Sequence, residues 1–216
     1  GQPRTLPDGT VYATDKAFKY TIRNYLKDVY PEDYVFFFRR LDEHLNPYTL
    51  EEAFKAKLGA DKQFDAKSKE SKQEALNELL KCIDIRLFGA TFAMKAKGGN
   101  IALSIHGPVQ VNHGMNIWHE NNIYSEQILS PFRNPKEQGD EERETGQTTI
   151  GRQSKLHEGH YLHHFSINPK NLEDFQGETT EQLNKEDISK LKEAMQRGAT
   201  YYDSTSKIKE ELSKEQ

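Results

Sequence analysis

The chain has 216 residues, 34% hydrophobic and 30% charged, with a formal net charge of −4. That length suits one domain with insertions around a modest core. It includes no apolar run long enough to span a bilayer, and the net charge gives no overall basic footprint of the kind usual in nucleic-acid proteins, although segregated charge would still permit one. The lone cysteine, Cys82, leaves no partner for an intramolecular disulfide, and the N-terminal GQPRTLPDGT has no basic-then-apolar leader pattern, so a cytoplasmic setting is the default expectation.

In chain order, residues 1–12 read as a loop. TDKAFKYTIRNYLKDVY follows, with Phe18, Ile22, Tyr25, Leu26 and Val29 at helical spacing. It predicts a helix from Asp15 to Val29, capped at Thr14 and ended before Pro31. Lys16, Lys19, Tyr20, Arg23 and Lys27 share the face opposite the apolar stripe. Tyr34 to Leu41 predicts a buried strand around YVFFF. A short helix follows Pro47 and breaks at Gly59, and Ser68 to Cys82 predicts a longer one. DIRLFGATFAM is β-prone and broken at Gly89; within it Asp84 and Arg86 have the spacing of an ion pair on a strand. KGGN at 97–100 marks a turn. NIALSIHGPVQVNHGM reads as a strand interrupted at Gly107-Pro108. Residues 130–149 read as a long mobile loop or hairpin tip. Leu183 to Arg197 predicts a helix stopped by Gly198, and the tail after Lys207 is expected to fray.

Four of the eight histidines lie in HEGHYLHH, His157 to His164. On a helix His157, His160 and His164 would line one face and could share an ion. Gly159, Tyr161, Phe165 and Ile167 favour a strand instead. There His160 and His164 stand roughly 13 Å apart and His163 points the other way, which removes a shared metal. Cys82 reads as a core residue rather than a nucleophile, and no P-loop or dinucleotide fingerprint occurs. The basic face of the first helix, with Tyr20 among its cations, fits a phosphate backbone. By spacing alone it fits a solvated surface helix better.

Five segments in order resemble the CRISPR Cascade backbone subunit of the type I-B lineage, in the repeat-associated RNA-binding superfamily. TDKAFKYTIRNYL (14–26) resembles its helix start. CIDIRLFGATF (82–92) resembles its "DvRlFGa" strand, and IHGPVQVNHGMN (105–116) its "GPVQ" strand. TIGRQSKLHEGHYLHHFSIN (149–168) and RGATYYDSTSK (197–207) resemble its last two motifs. The resemblance implies an α+β fold: a ferredoxin-like (modified RRM) palm over residues 1–216, with helical fingers at about 42–80 and a thumb at about 116–150. It implies CRISPR RNA, further copies of the chain, other Cascade subunits and, through the guide, target DNA as partners. It implies neither a cofactor nor catalysis.

Carried over by position, its RNA contacts fall on Thr14, Lys16, Lys19 and Arg23. They also fall on Gly107, Pro108 and Gln110 of the GPVQ turn, and on Thr149, Ile150, Gly151 and Arg152, with Lys155 following. Tyr20 departs from the pattern by standing where a second basic residue is usual, which weakens that contact or replaces it with stacking. The pattern also begins with a strand and loop before the position of Gln2-Pro3-Arg4, so the chain is expected to lack the usual N-terminal strand. Two other readings stay open at this point. One is a metal-dependent ribonuclease of the type III backbone kind, using Asp84 or the Glu141-Glu142 loop. The other is an RNA-free scaffold domain.

Overall fold

The structure is a computed structural model. It describes residues 2–59, 62–133, 147–175, 177 and 180–202. In chain order the elements are β1 (Arg4–Thr5), β2 (Val11–Ala13), α1 (Asp15–Val29), α2 (Leu50–Leu58), α3 (Lys69–Leu80), α4 (Ile83–Phe88), β3 (Gly89–Ala96) and β4 (Gly99–His106). Then come β5 (Val109–Val111), β6 (Gly114–Asn116), β7 (Ile123–Arg133), β8 (Gln147–Leu156), β9 (Tyr161–Leu162), β10 (Phe165–Ile167), a 3-10 helix (Pro169–Phe175) and α5 (Lys185–Tyr201). The class is α+β with small antiparallel sheets.

The chain divides into two units. The first comprises Gly1–Asp15 and His113–His164. It holds a four-stranded sheet in the order β1-β2-β6-β9 and the long β7-β8 hairpin. The arms of that hairpin run through 130–133 and 147–149, so strand extends into the stretch expected to be a loop tip; 134–146 lie outside the described residues. Between Ile128 and Leu129 the register shifts, which leaves Ile150 as the extra residue of a bulge.

The second unit comprises Lys16–Asn112 and Phe165–Gln216. Its described residues form two apolar clusters. In one, α2 and α3 pack with the β3-β4 hairpin through Phe54, Leu76, Leu79, Phe92 and Ile101. In the other, α1, α4 and α5 pack with β5 through Ile22, Leu26, Leu87, Val109 and Leu191. α1 runs over the predicted Asp15–Val29, and its apolar residues Ile22, Tyr25 and Leu26 are buried as the periodicity requires. Ser68 caps α3, accepting from the Ser71 N–H at 3.1 Å. Gly59, in the left-handed region, ends α2, and Gly98 at φ 77° turns the chain between β3 and β4 at KGGN.

Several expectations are corrected. Tyr34 to Leu41 is not a strand; its only ladder-type contacts are isolated bridges at Tyr34 and Leu41. Its backbone groups find side-chain partners instead. The Phe36 and Phe37 N–H groups donate to the Asp84 carboxylate at 2.8 and 3.0 Å, and Arg40 donates to the Val35 and Phe36 carbonyls. Once those groups are satisfied, a strand partner is unnecessary.

Ile83–Phe88 is helix rather than strand, with Gly89 at φ 73° ending it. All six residues are buried, and tertiary burial overrides their β propensity. Asp84 and Arg86 do not pair with each other. Asp84 takes Arg23 Nε at 3.0 Å, while Arg86 takes Asp187, Glu181 and the Leu80 carbonyl.

Gly198 does not stop the last helix, which continues to Tyr201. It lies where α5 approaches α1 closely: a Cβ there would stand 3.0 Å from the Thr21 carbonyl oxygen. HEGHYLHH is not one strand either. Residues 157–160 form a loop, and β9 and β10 are separated by His163 and His164.

Glu193 on α5 ties the second cluster together. It accepts from the Tyr25 hydroxyl at 2.7 Å and the Tyr30 hydroxyl at 2.6 Å. The bond to Glu193, then burial, raises both phenols, Tyr30 to about 12. The folded chain therefore holds these protons to higher pH than the unfolded chain, whose tyrosines titrate near about 10. Their contribution is complete below about pH 10 and is lost as pH rises toward 12. Alkaline unfolding followed by circular dichroism should show stability falling through that window, and Glu193→Gln should flatten the fall.

Candidate nucleic-acid interface

The basic face of α1 is built on aromatic rings. Lys19 Nζ lies 5.5 Å from the Phe88 ring centre. The Arg23 guanidinium lies 5.2 Å from Phe88 and 5.5 Å from Phe37, and Lys27 Nζ lies 4.8 Å from Phe38. Tyr20 stacks on Phe38, with centroids 5.6 Å apart and planes at 15°. Lys16 is exposed one turn before Tyr20. The YVFFF stretch thus supports the cations of α1 from the side instead of filling a sheet. Arg39 and Arg40 continue the positive charge from the same segment; Arg39 is exposed and Arg40 lies 4.7 Å over Tyr34. These aromatic supports were missed by spacing within α1. The available signal was the run of basic residues directly after the phenylalanines at 36–38.

Arg23 differs from the lysines. Its side chain is only 15% exposed and its Nε is held by the buried Asp84. Its first role is structural, with any ligand contact left to the rest of the guanidinium. Asp84 is fully buried and accepts from two backbone N–H groups and Arg23. That assignment corrects its reading as a ribonuclease carboxylate, because a general base or metal ligand needs access and spare lone pairs. Glu141-Glu142, the other acidic candidates, lie outside the described residues. Burial pushes the Cys82 thiol up to about 12, which leaves a core residue and no nucleophile there. Among the described residues, no three His, Cys, Asp or Glu side chains are grouped to hold a metal ion.

In the GPVQ turn, Gly107 and Pro108 are buried and Gln110 is half-buried. Gln110 Nε2 donates to the Gly107 carbonyl at 2.7 Å, Asn171 donates to it at 3.0 Å, and the Asn168 N–H donates to the Pro108 carbonyl at 2.9 Å. A Cβ on Gly107 would stand 2.1 Å from the Phe88 carbonyl carbon. This turn therefore packs against the backbone of Phe88, the residue whose ring lies under Lys19 and Arg23.

The remaining expected residues belong to the first unit. Thr14 is half-buried just ahead of α1. Gly151 faces Ile128 across the β7-β8 hairpin and Arg152 faces Gln127. Arg152 is exposed, and Lys155 Nζ lies 3.7 Å from Glu126. Thr149 pairs with Leu129, and Ile150 occupies the bulge. Nearby, His160 stacks on Trp118 at 4.9 Å and 14° and bonds Glu158.

A sequence model of the family described as CRISPR-associated protein Cas7 matches residues 1–215. The chain belongs to that family. No curated protein sequence matches it. Among solved structures it is similar to a chain of a "CRISPR RNA-guided surveillance complex, pre-nicking", with 14% identity and a TM-score of 0.40. The match covers 90% of this chain and 64% of that one, so this Cas7-family chain spans less than two thirds of that protein's length. No helix among the described residues is long and apolar enough to cross a membrane.

Proposed function

We propose that the chain is a non-catalytic CRISPR RNA-binding backbone subunit of a type I Cascade complex. Several copies line up along the guide and present it for pairing with target DNA, in contact with the other Cascade subunits. In this reading the second unit belongs to a ferredoxin-like palm, α2 and α3 are the fingers, and the β7-β8 hairpin is the thumb. The observation that carries it is the row of cations on α1, braced by aromatic rings, in a chain whose family is Cas7. Lysines at helical intervals match phosphates and carry little base information. Sequence specificity then falls to the guide, as in RNA-guided recognition generally.

Purified protein should carry RNA of uniform length. Each phosphate contact removed should lower the slope of log affinity against log salt by roughly 0.7. Lys16→Ala/Lys19→Ala should therefore flatten it by roughly 1.4 in a titration over several salt concentrations. The same change in Arg152 and Lys155 tests the hairpin separately. Protein free of RNA, with no affinity for single strands at low salt, would sink this reading.

A further inference from the structure

Tyr20 is an aromatic residue in the middle of the cationic row. It falls four residues after Lys16, three before Arg23 and seven before Lys27, so all four lie along one ridge of α1. Lys16 to Lys27 spans roughly 16 Å along the axis. The Tyr20 ring is fixed by two others. Phe38 stacks on it at 5.6 Å, and Tyr202, just past the end of α5, meets it edge-on at 5.2 Å and 76°. Tyr20 is nevertheless 37% exposed, which is more than core packing alone requires of it.

The charge around this ring is mainly positive. Lys16 and Arg39 are exposed, and Lys27 lies over the Phe38 ring on which Tyr20 is stacked. The acid beside them, Asp28, is engaged by Lys27 and lies 3.4 Å from the Tyr201 hydroxyl. A fixed, partly open aromatic ring between cations suits a single-stranded nucleic acid: phosphates follow the lysines, and a base lies on the ring. Because Phe38 and Tyr202 already hold the ring, little side-chain entropy is lost on binding.

We propose that Tyr20, backed by Phe38 and Tyr202, is a base-stacking subsite that holds one nucleotide of a single-stranded RNA tracking the Lys16–Lys27 ridge. The subsite rests on the RNA-binding reading above and adds a contact that lysines cannot supply. Stacking accepts any base and carries no net charge. It therefore raises affinity without changing salt dependence.

The test uses the full chain and two probes, an oligoadenylate and an abasic oligonucleotide of the same length. Tyr20→Ala should weaken oligoadenylate binding roughly 5- to 150-fold with an unchanged salt slope, and should leave abasic binding unaltered. Tyr20→Phe should retain oligoadenylate affinity. In the unsubstituted protein, a photoreactive 4-thiouridine strand should crosslink to the peptide bearing Tyr20, a readout that no folding defect can mimic. Equal weakening with both probes, or no crosslink at that peptide, overturns the subsite. If Tyr20→Ala binds normally while Lys16→Ala/Lys19→Ala flattens the salt slope, the subsite is wrong and the RNA reading stands. If the unsubstituted protein binds neither probe, both are wrong.

Discussion

Asp84→Ala is expected to destabilise the protein by about 3–5 kcal/mol, although no catalytic role is assigned to that carboxylate. The residue is fully buried. Its loss leaves Arg23 without its partner and leaves the Phe36 and Phe37 N–H groups without their acceptor. Each stranded buried donor costs about 1–3 kcal/mol, partly relieved here because Arg23 can reach water. Asp84→Asn should lose less, because an amide oxygen can still accept one bond. Urea unfolding of both variants would measure the order. Equal, unchanged midpoints would show that these bonds contribute nothing.

The same network bears on how RNA-binding variants are read. Arg23→Ala leaves a buried carboxylate unpaired, and Phe37 and Phe88 lose the guanidinium lying over them. Its effect on RNA affinity would mix a lost phosphate contact with a loosened platform. Lys16, which is exposed, gives the cleaner measurement. A double-mutant cycle on Arg23 and Asp84 should show strong coupling, since removing both charges avoids the uncompensated one.

Gly89→Ala is expected to cost more than about 4 kcal/mol, enough to abolish folding in a marginally stable domain. Gly89 has φ 73°, and a Cβ would stand 2.1 Å from the Ile105 carbonyl oxygen and 2.4 Å from the Gly107 nitrogen. Both are backbone atoms held in the β3-β4 hairpin and the GPVQ turn, so neither can move aside cheaply. Gly98→Ala supplies the comparison. It has a similar φ of 77°, but its nearest neighbours are 3.6 Å away. It should cost only the left-handed strain, about 1–2 kcal/mol. Thermal unfolding of the two variants separates close approach from backbone strain. Similar losses in both would show that the contact behind Phe88 is loose.

Where local pattern and burial agree, the elements are legible in the sequence. α1 spans the predicted residues because its apolar stripe, its flanking Thr14 and the proline after it all point the same way. The breaks at Gly59, at KGGN and at Gly107-Pro108 are equally local, since each needs only a glycine conformation or a missing donor. YVFFF and DIRLF fail for a shared reason. Each reads as a strand, but Asp84 in one supplies the acceptor for the backbone of the other, 47 or 48 residues away. No window of adjacent residues can show that exchange. Gly198 misleads similarly: a helix-stopping residue by composition serves as a close-packing residue against Thr21.

By itself, the sequence determined the family and the α1 helix with its row of cations. Ordered motifs and 3.6-residue periodicity are properties of the chain alone. Only the tertiary structure decided what those cations rest on, that Arg23 and Asp84 are bound to each other, and that His160 belongs to Trp118. Those facts depend on which side chains meet across long stretches of chain, where burial makes each polar group find a partner wherever one is placed.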